Sequence, residues 1–98
     1  LREVDAETLR RSYIVVDTIE GAPEETGDLY IPLHDGEINI ERISVELGEI
    51  VLGKKPGRTS DDQITYFKST GIAVQDIVAA NLAMANAREM GYGQMIDL

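Results

Sequence analysis

Residues 72–90 predict a long helix with almost no polar side to turn towards water. Ala73, Ile77, Ala80, Met84 and Ala87 form one apolar stripe, and Val74, Val78, Leu82, Ala83 and Ala85 fill much of the remaining circumference. A helix that is apolar nearly all round is normally buried on several sides. Gly91 and Gly93 close it. The rest of this 98-residue chain predicts two strands and a few short helices, too little to cover such a rod. Either copies of the chain associate through this helix, or the sequence is a segment of a larger protein. Two or three strands also make a poor parallel sheet, which favours the segment.

The strands are carried by β-branched and aromatic runs. Tyr13-Ile14-Val15-Val16-Asp17 shows no alternation, as expected for a strand buried on both faces, and it ends in an acid. Function in parallel sheets gathers at such carboxyl ends. Ile64-Thr65-Tyr66-Phe67 is the second strand, and Ser69-Thr70-Gly71 is a tight turn into the long helix. Two strands joined by a helical connection predict a β-α-β unit with a right-handed crossover.

Before the first strand, Asp5 caps a helix over residues 5–11, with Arg10 and Arg11 at the end where the dipole favours cations. Residues 19–27 read as a short helix or turn with Pro23 near its start, residues 29–33 as an extended connector, and Asp35-Gly36 as a turn. Ile43, Leu47, Ile50 and Val51 recur at helical spacing, so residues 41–52 predict another helix that Gly53 ends. Lys54-Lys55-Pro56-Gly57-Arg58 reads as a loop.

Charge narrows the partners. With 18 acidic and 9 basic residues the net charge is −9, which excludes attraction to nucleic acid or an anionic membrane as the main business. No cysteine is present, so disulfides, thiolate chemistry and Cys-based zinc sites are excluded. One Phe, four Tyr and no Trp fit poorly with a base-stacking platform. The start, Leu1-Arg2-Glu3-Val4-Asp5, is charged where a signal peptide would be apolar, and no apolar run reaches the roughly 18 residues of a membrane span. The expectation is a cytoplasmic protein.

Several segments, in order, resemble the ornithine cyclodeaminase / mu-crystallin family. They are Arg2-Glu3-Val4-Asp5, Val15-Val16-Asp17, Gly27-Asp28-Leu29, Leu47-Gly48-Glu49-Ile50-Val51 with Gly53-Lys54-Lys55-Pro56-Gly57-Arg58, and the run from Ile64 through Ser69-Thr70-Gly71 to Asp76. The resemblance implies an α/β fold, a partial Rossmann-type (doubly wound) NAD(P)-binding domain with a long C-terminal helix. Residues 1–71 would be the C-terminal half of that domain, and residues 72–98 the helix leading back to a dimerisation domain. Family members pass a hydride between nicotinamide and the α-carbon of an amino or imino acid. The expected activities are therefore ornithine to proline plus ammonia, or alanine/pyruvate interconversion. The alternative is a ketimine reductase or a non-catalytic, ligand-binding mu-crystallin-like protein. The cofactor would be NAD or NADP in the complete parent. The partners would be the remainder of the parent chain, a small amino- or imino-acid substrate and a second copy in a homodimer.

The sequence also departs from the full family pattern. No G-x-G-x-x-G occurs, since Gly91-Tyr92-Gly93 lacks the third glycine and follows a helix. The resemblance places the pyrophosphate cradle, the catalytic Asp and the substrate-binding Lys and Arg residues upstream of Leu1. No catalytic residue is therefore assigned within residues 1–98, and the isolated chain is expected neither to bind NAD(P) well nor to turn over substrate.

Among the candidate residues, Ser69, Thr70 and Gly71 sit where a strand end meets a helix start. There, free N–H groups and the positive dipole end favour a polar or anionic ligand, although simple capping needs none. The resemblance implies that this turn lies beside the nicotinamide, and that Lys68 stands where members carry Asp or Lys, which tilts away from strict cyclodeaminase chemistry. Asp17 either shapes the crevice or caps the turn after its own strand. His34 reads as a lone exposed histidine. Lys54, Lys55 and Arg58 could meet the extra phosphate of NADP but read first as a solvated loop. Glu24-Glu25, Asp61-Asp62 and Asp76 suit helix starts, and Met84 and Met90 are packing residues.

Overall fold

Two parallel strands organise the chain. β1 (Ser12–Val16) and β2 (Ile64–Lys68) pair in register from Ser12 opposite Ile64 to Val16 opposite Lys68, in a computed structural model that describes residues 1–98. α1 (Ala6–Arg11) precedes β1, and the Asp5 carboxylate accepts the Thr8 N–H at 2.8 Å and the Thr8 hydroxyl at 2.7 Å. At the other end of α1, the Arg42 guanidinium donates to the carbonyls of Leu9, Arg10 and Ser12 at 2.8–3.2 Å. α2 (Ala22–Glu25) follows β1, with Pro23 in its first turn.

The segment expected to be extended, residues 29–33, is instead part of α3 (Gly27–His34), with Pro32 inside it. Leu29 and Pro32 are buried and Leu33 packs against the core, which is the i, i+3, i+4 spacing of one helical face. Burying that face outweighs the backbone hydrogen bond that Pro32 forgoes. The Pro32 carbonyl then accepts the N–H groups of Glu37 and Ile38, which turns the chain.

The helix expected over residues 41–52 is split. A 3₁₀ turn, Ile40–Arg42, is followed by an extended stretch in which Ile43 and Val45 are buried and Ser44 is exposed. That is a strand's period of two, and the Val16 N–H donates to the Val45 carbonyl at 3.0 Å beside a parallel bridge from Val16 to Glu46. Pairing with the edge of β1 overrides the helical spacing of the apolar residues. Only Leu47–Val51 remains helical, as α4. Glu46 and Glu49 tie its start, since Glu49 accepts the Glu46 N–H at 3.0 Å and Glu46 accepts the Ile19 N–H at 2.8 Å.

The core is Leu9, Ile14, Val16, Ala22, Leu29, Ile38 and Ile43, all on α1, β1 and the connection that follows it. α5 (Ala73–Met90) takes no part in it. Every residue of α5 except Ala87 is exposed, Ile77 to 60% and Leu82 to 61%. The radius of gyration is 17.8 Å, against about 13 Å for a compact chain of this length. The accessible surface is 7271 Å², where a compact monomer of this mass would expose about 5,500 Å². No helix is long and apolar enough to cross a membrane.

Candidate functional site

Parallel strands end together, so the carboxyl ends of β1 and β2 bring Asp17 beside Lys68-Ser69-Thr70-Gly71. Ligands of open parallel sheets bind outside such ends. A surface cleft of about 270 Å³ opens there, lined by Leu1, Glu25, Thr26, Gly27, Lys68, Ser69 and Thr70.

Asp17 is buried, and its carboxylate collects donors from both sides of the cleft floor. Oδ2 accepts the Ser69 hydroxyl at 2.8 Å and the N–H groups of Thr70 and Gly71 at 2.9 Å each. Oδ1 accepts the Thr18 N–H at 2.9 Å and the Thr70 hydroxyl at 3.2 Å. Burial alone would raise its pKa, but the donors of Ser69, Gly71, Thr18 and Thr70 outweigh burial and hold it below the usual carboxylate range. Gly71 sits at φ +88°, a left-handed conformation that glycine adopts freely.

These bonds correct one expectation. The backbone N–H groups of Thr70 and Gly71 are not free for an anion, because Asp17 has taken them. The hydroxyls of Ser69 and Thr70 have also turned their protons towards Asp17; Thr70 keeps its lone pairs for a ligand, and Ser69, which also accepts the Gly71 N–H at 3.2 Å, keeps one. The turn is therefore an acceptor rim above a buried negative charge. It suits an amide N–H₂ or a cationic ring and disfavours a phosphate.

A second carboxylate lies behind the cleft. Asp28, in the first turn of α3, is fully buried. Its Oδ1 accepts the N–H groups of Glu3 and Val4, the latter at 3.1 Å, and its Oδ2 accepts the Tyr66 hydroxyl at 3.0 Å and the Lys68 ammonium at 2.8 Å. Lys68 also reaches the Glu3 carboxylate at 2.7 Å. Burial would raise the Asp28 pKa, but Lys68, the two backbone N–H groups and Tyr66 drive it far below the ordinary value. Its charge and Glu3 hold the Lys68 ammonium well above a normal lysine. Burial and the bond to Asp28 push the Tyr66 phenol up as well. Gly27, next in line, lets the incoming chain pass. A Cβ there would stand 2.6 Å from the Leu1 carbonyl oxygen.

Lys68 and Gly27-Asp28-Leu29 stand out in the sequence, but nothing in their spacing links Asp28 to Lys68, Tyr66 and Glu3. Of the remaining candidates Glu25 lines the cleft, while the others lie elsewhere. His34 is exposed, stacked on Tyr30 at 5.7 Å and 3.3 Å from Asp35. Lys55 binds Glu49 at 3.1 Å and the Ser44 carbonyl, and Arg58 binds the Gln63 carbonyl and, at 2.9 Å, the Thr65 hydroxyl. Arg58 thus tethers its loop to the amino end of β2, opposite the Ser69 turn. Asp76 lies in the first turn of α5.

Residues 1–91 match the ornithine cyclodeaminase/mu-crystallin family. The chain belongs to that family. The Delta(1)-pyrroline-2-carboxylate reductase of Bacillus cereus (strain ZK / E33L) is 46% identical over 84 residues, 86% of this chain and 26% of the relative. The alanine dehydrogenase of Archaeoglobus fulgidus is 38% identical over 95 residues, 97% of this chain and 29% of the relative. The structure of Thermococcus litoralis Delta(1)-pyrroline-2-carboxylate reductase in complex with NADH and L-proline superposes with a TM-score of 0.83 at 46% identity, covering 97% of this chain and 29% of that one. This member of the ornithine cyclodeaminase/mu-crystallin family thus spans about a quarter of the length of the curated relatives it matches. Its fold is α/β, part of a Rossmann-type nucleotide-binding domain.

Proposed function

We propose that the chain is part of a cytoplasmic NAD(P)-dependent enzyme that passes a hydride between nicotinamide and the α-carbon of an imino or amino acid. The observation that carries this reading is the Ser69-Thr70-Gly71 turn, locked on buried Asp17 at the carboxyl ends of both strands. Its acceptor rim fits the carboxamide N–H₂ of a nicotinamide, and the Asp17 charge favours a ring that carries positive charge. The cofactor, when bound, supplies or accepts the hydride. Ser69 and Thr70 orient its carboxamide, and Gly71 allows the backbone to turn close by. Lys68 is paired with Asp28 at 2.8 Å and Glu3 at 2.7 Å, which holds its ammonium as a fixed cation at the cleft wall. Residues 1–71 would complete the nucleotide-binding half, residues 72–98 would return to a dimerisation domain, and the parent would act as a homodimer.

Reduction of a cyclic imine is the favoured reaction, because relatives at 44–46% identity are pyrroline-2-carboxylate reductases. Alanine/pyruvate interconversion is the second reading, supported by the archaeal alanine dehydrogenase matched along 97% of the chain. The test is NAD(P)H oxidation by the full-length gene product with Δ1-pyrroline-2-carboxylate, with pyruvate plus ammonia, and separately proline formation from ornithine. Turnover of the cyclic imine is expected. Silence in all three assays with cofactor bound would replace the enzyme with a ligand-binding role.

A further inference from the structure

We propose that Asp28 is a positioning residue, which sets where the chain entering at Leu1 stands relative to the Ser69-Thr70-Gly71 turn, and so where a substrate meets the nicotinamide. This deepens the hydride-transfer reading of the cleft and rests on it.

The cleft lining has two parts, held by different means. Ser69 and Thr70 continue directly from β2 and are locked on Asp17. Leu1 belongs to residues 1–4, which are neither helix nor strand and make no backbone–backbone hydrogen bond. A segment of that kind normally opens at little cost. Here side chains take the place of a ladder. Val4 packs against the core, and Oδ1 of Asp28 accepts the N–H groups of Glu3 and Val4. The remaining ties are more exposed and weaker, with Arg2 3.8 Å from Glu37 and Lys68 held by a Glu3 side chain that is 60% exposed. Asp28 is fully buried, so its charge-assisted bonds are the strong ones.

A buried carboxylate needs both oxygens answered. Oδ2 is taken by the Tyr66 hydroxyl and the Lys68 ammonium, which leaves Oδ1 for the entering chain. Tyr66 and Lys68 lie on β2, and Ser69 follows at once. Both parts of the lining are thus measured from the same end of one strand, one through Asp28 and the other through Asp17. Hydride transfer needs close and aligned reacting atoms, and a misplacement of about 1 Å costs on the order of a hundredfold in rate. The nicotinamide carboxamide is assigned to the Ser69 turn, so a slack Leu1 segment displaces the substrate and spares the cofactor.

The test is steady-state kinetics of the full-length gene product on the substrate that the wild type turns over, expressed per NADH bound to the same sample. Asp28→Ala should lower kcat/KM at least about thirtyfold while the NADH Kd stays within about twofold. Asp28→Asn keeps the shape and an acceptor for both N–H groups, and should lose less than about fivefold. Amide exchange at Glu3 and Val4 should quicken in Asp28→Ala, and unchanged exchange overturns the proposal. Glu3→Pro removes one of the two N–H groups at an exposed residue and should lower kcat/KM about tenfold, which decides the matter if Asp28→Ala does not fold. A merely structural Asp28 would reduce the number of NADH sites and leave kcat/KM per site unchanged. That result, or an unchanged Glu3→Pro, overturns the proposal and leaves the function standing. A wild type that binds NADH and turns over no imino or amino acid sinks the functional reading, and the positioning role with it.

Discussion

β1 and β2 are built from similar residues, yet they live in opposite surroundings. β1 is covered by α1, α2, α3 and the residues 43–46, while β2 is paired on one edge only and leaves Phe67 half in water. The same division separates α1, whose Ala6 and Leu9 are buried, from α5, which is bare on nearly every side. What differs is not the apolar content but how much of the sheet the chain itself can complete. The N-terminal elements close on one another, and the C-terminal ones offer surface for something else.

The largest expected effect tests that division directly. Leu9→Ala should cost about 3 kcal/mol in the isolated chain, read from the urea midpoint, while Leu82→Ala should stay within about 0.5 kcal/mol. Equal costs would erase the contrast, and in the full-length protein Leu82→Ala should become as costly as Leu9→Ala. Next, Asp28→Ala removes the buried partner of Lys68 and Tyr66 and the acceptor for two N–H groups, at about 3 kcal/mol. A loss far below this would mean that the first four residues are not fastened to β2. Asp17→Asn leaves the Ser69 turn with fewer acceptors and should cost about 2 kcal/mol. Unchanged chemical shifts at Thr70 and Gly71 would show that the turn holds without it.

Acid should act through the same two carboxylates. Asp17 and Asp28 sit below their unfolded values in the fold, so their stabilisation is complete above about pH 4–5 and drains away as pH falls further. Asp28→Asn should flatten that decline in a pH series of urea midpoints. On the alkaline side Lys68 and Tyr66, both raised, stabilise fully below about pH 10 and progressively less above it. The smallest effect is Ser69→Ala in the full-length enzyme. Loss of one acceptor should raise the cofactor Kd about fivefold with the fold intact, and an unchanged Kd would remove Ser69 from the cofactor site.

Much of the fold was legible because its signals are local. Asp5 before an amphipathic turn, the β-branched run of β1 and the apolar rod ending at Gly91 each place an element to within a residue or two. The misread segments are those where a distant partner decides. Pro32 reads as extended until Leu29 and Leu33 are seen to share a buried face. Ile43 reads as helical until Val45 is found against Val16. The position of the Ser69-Thr70-Gly71 turn was legible for the same local reason, but the direction of its donors was not, since Asp17 lies more than 50 residues earlier. Asp28, Glu3, Tyr66 and Lys68 come from well-separated stretches, so no spacing rule could have joined them.

Gly27 carries one more consequence. Its backbone is not in a left-handed conformation, so torsional freedom is not what requires glycine here. Clearance is, because any larger residue would collide with the main chain at Leu1 and not with a side chain able to swing aside. Even alanine would have to lift the entering polypeptide off α3, carrying Glu3 away from Lys68 and widening the mouth of the cleft. The gauge of that opening is thus set by a hydrogen atom standing where every other amino acid would put a carbon.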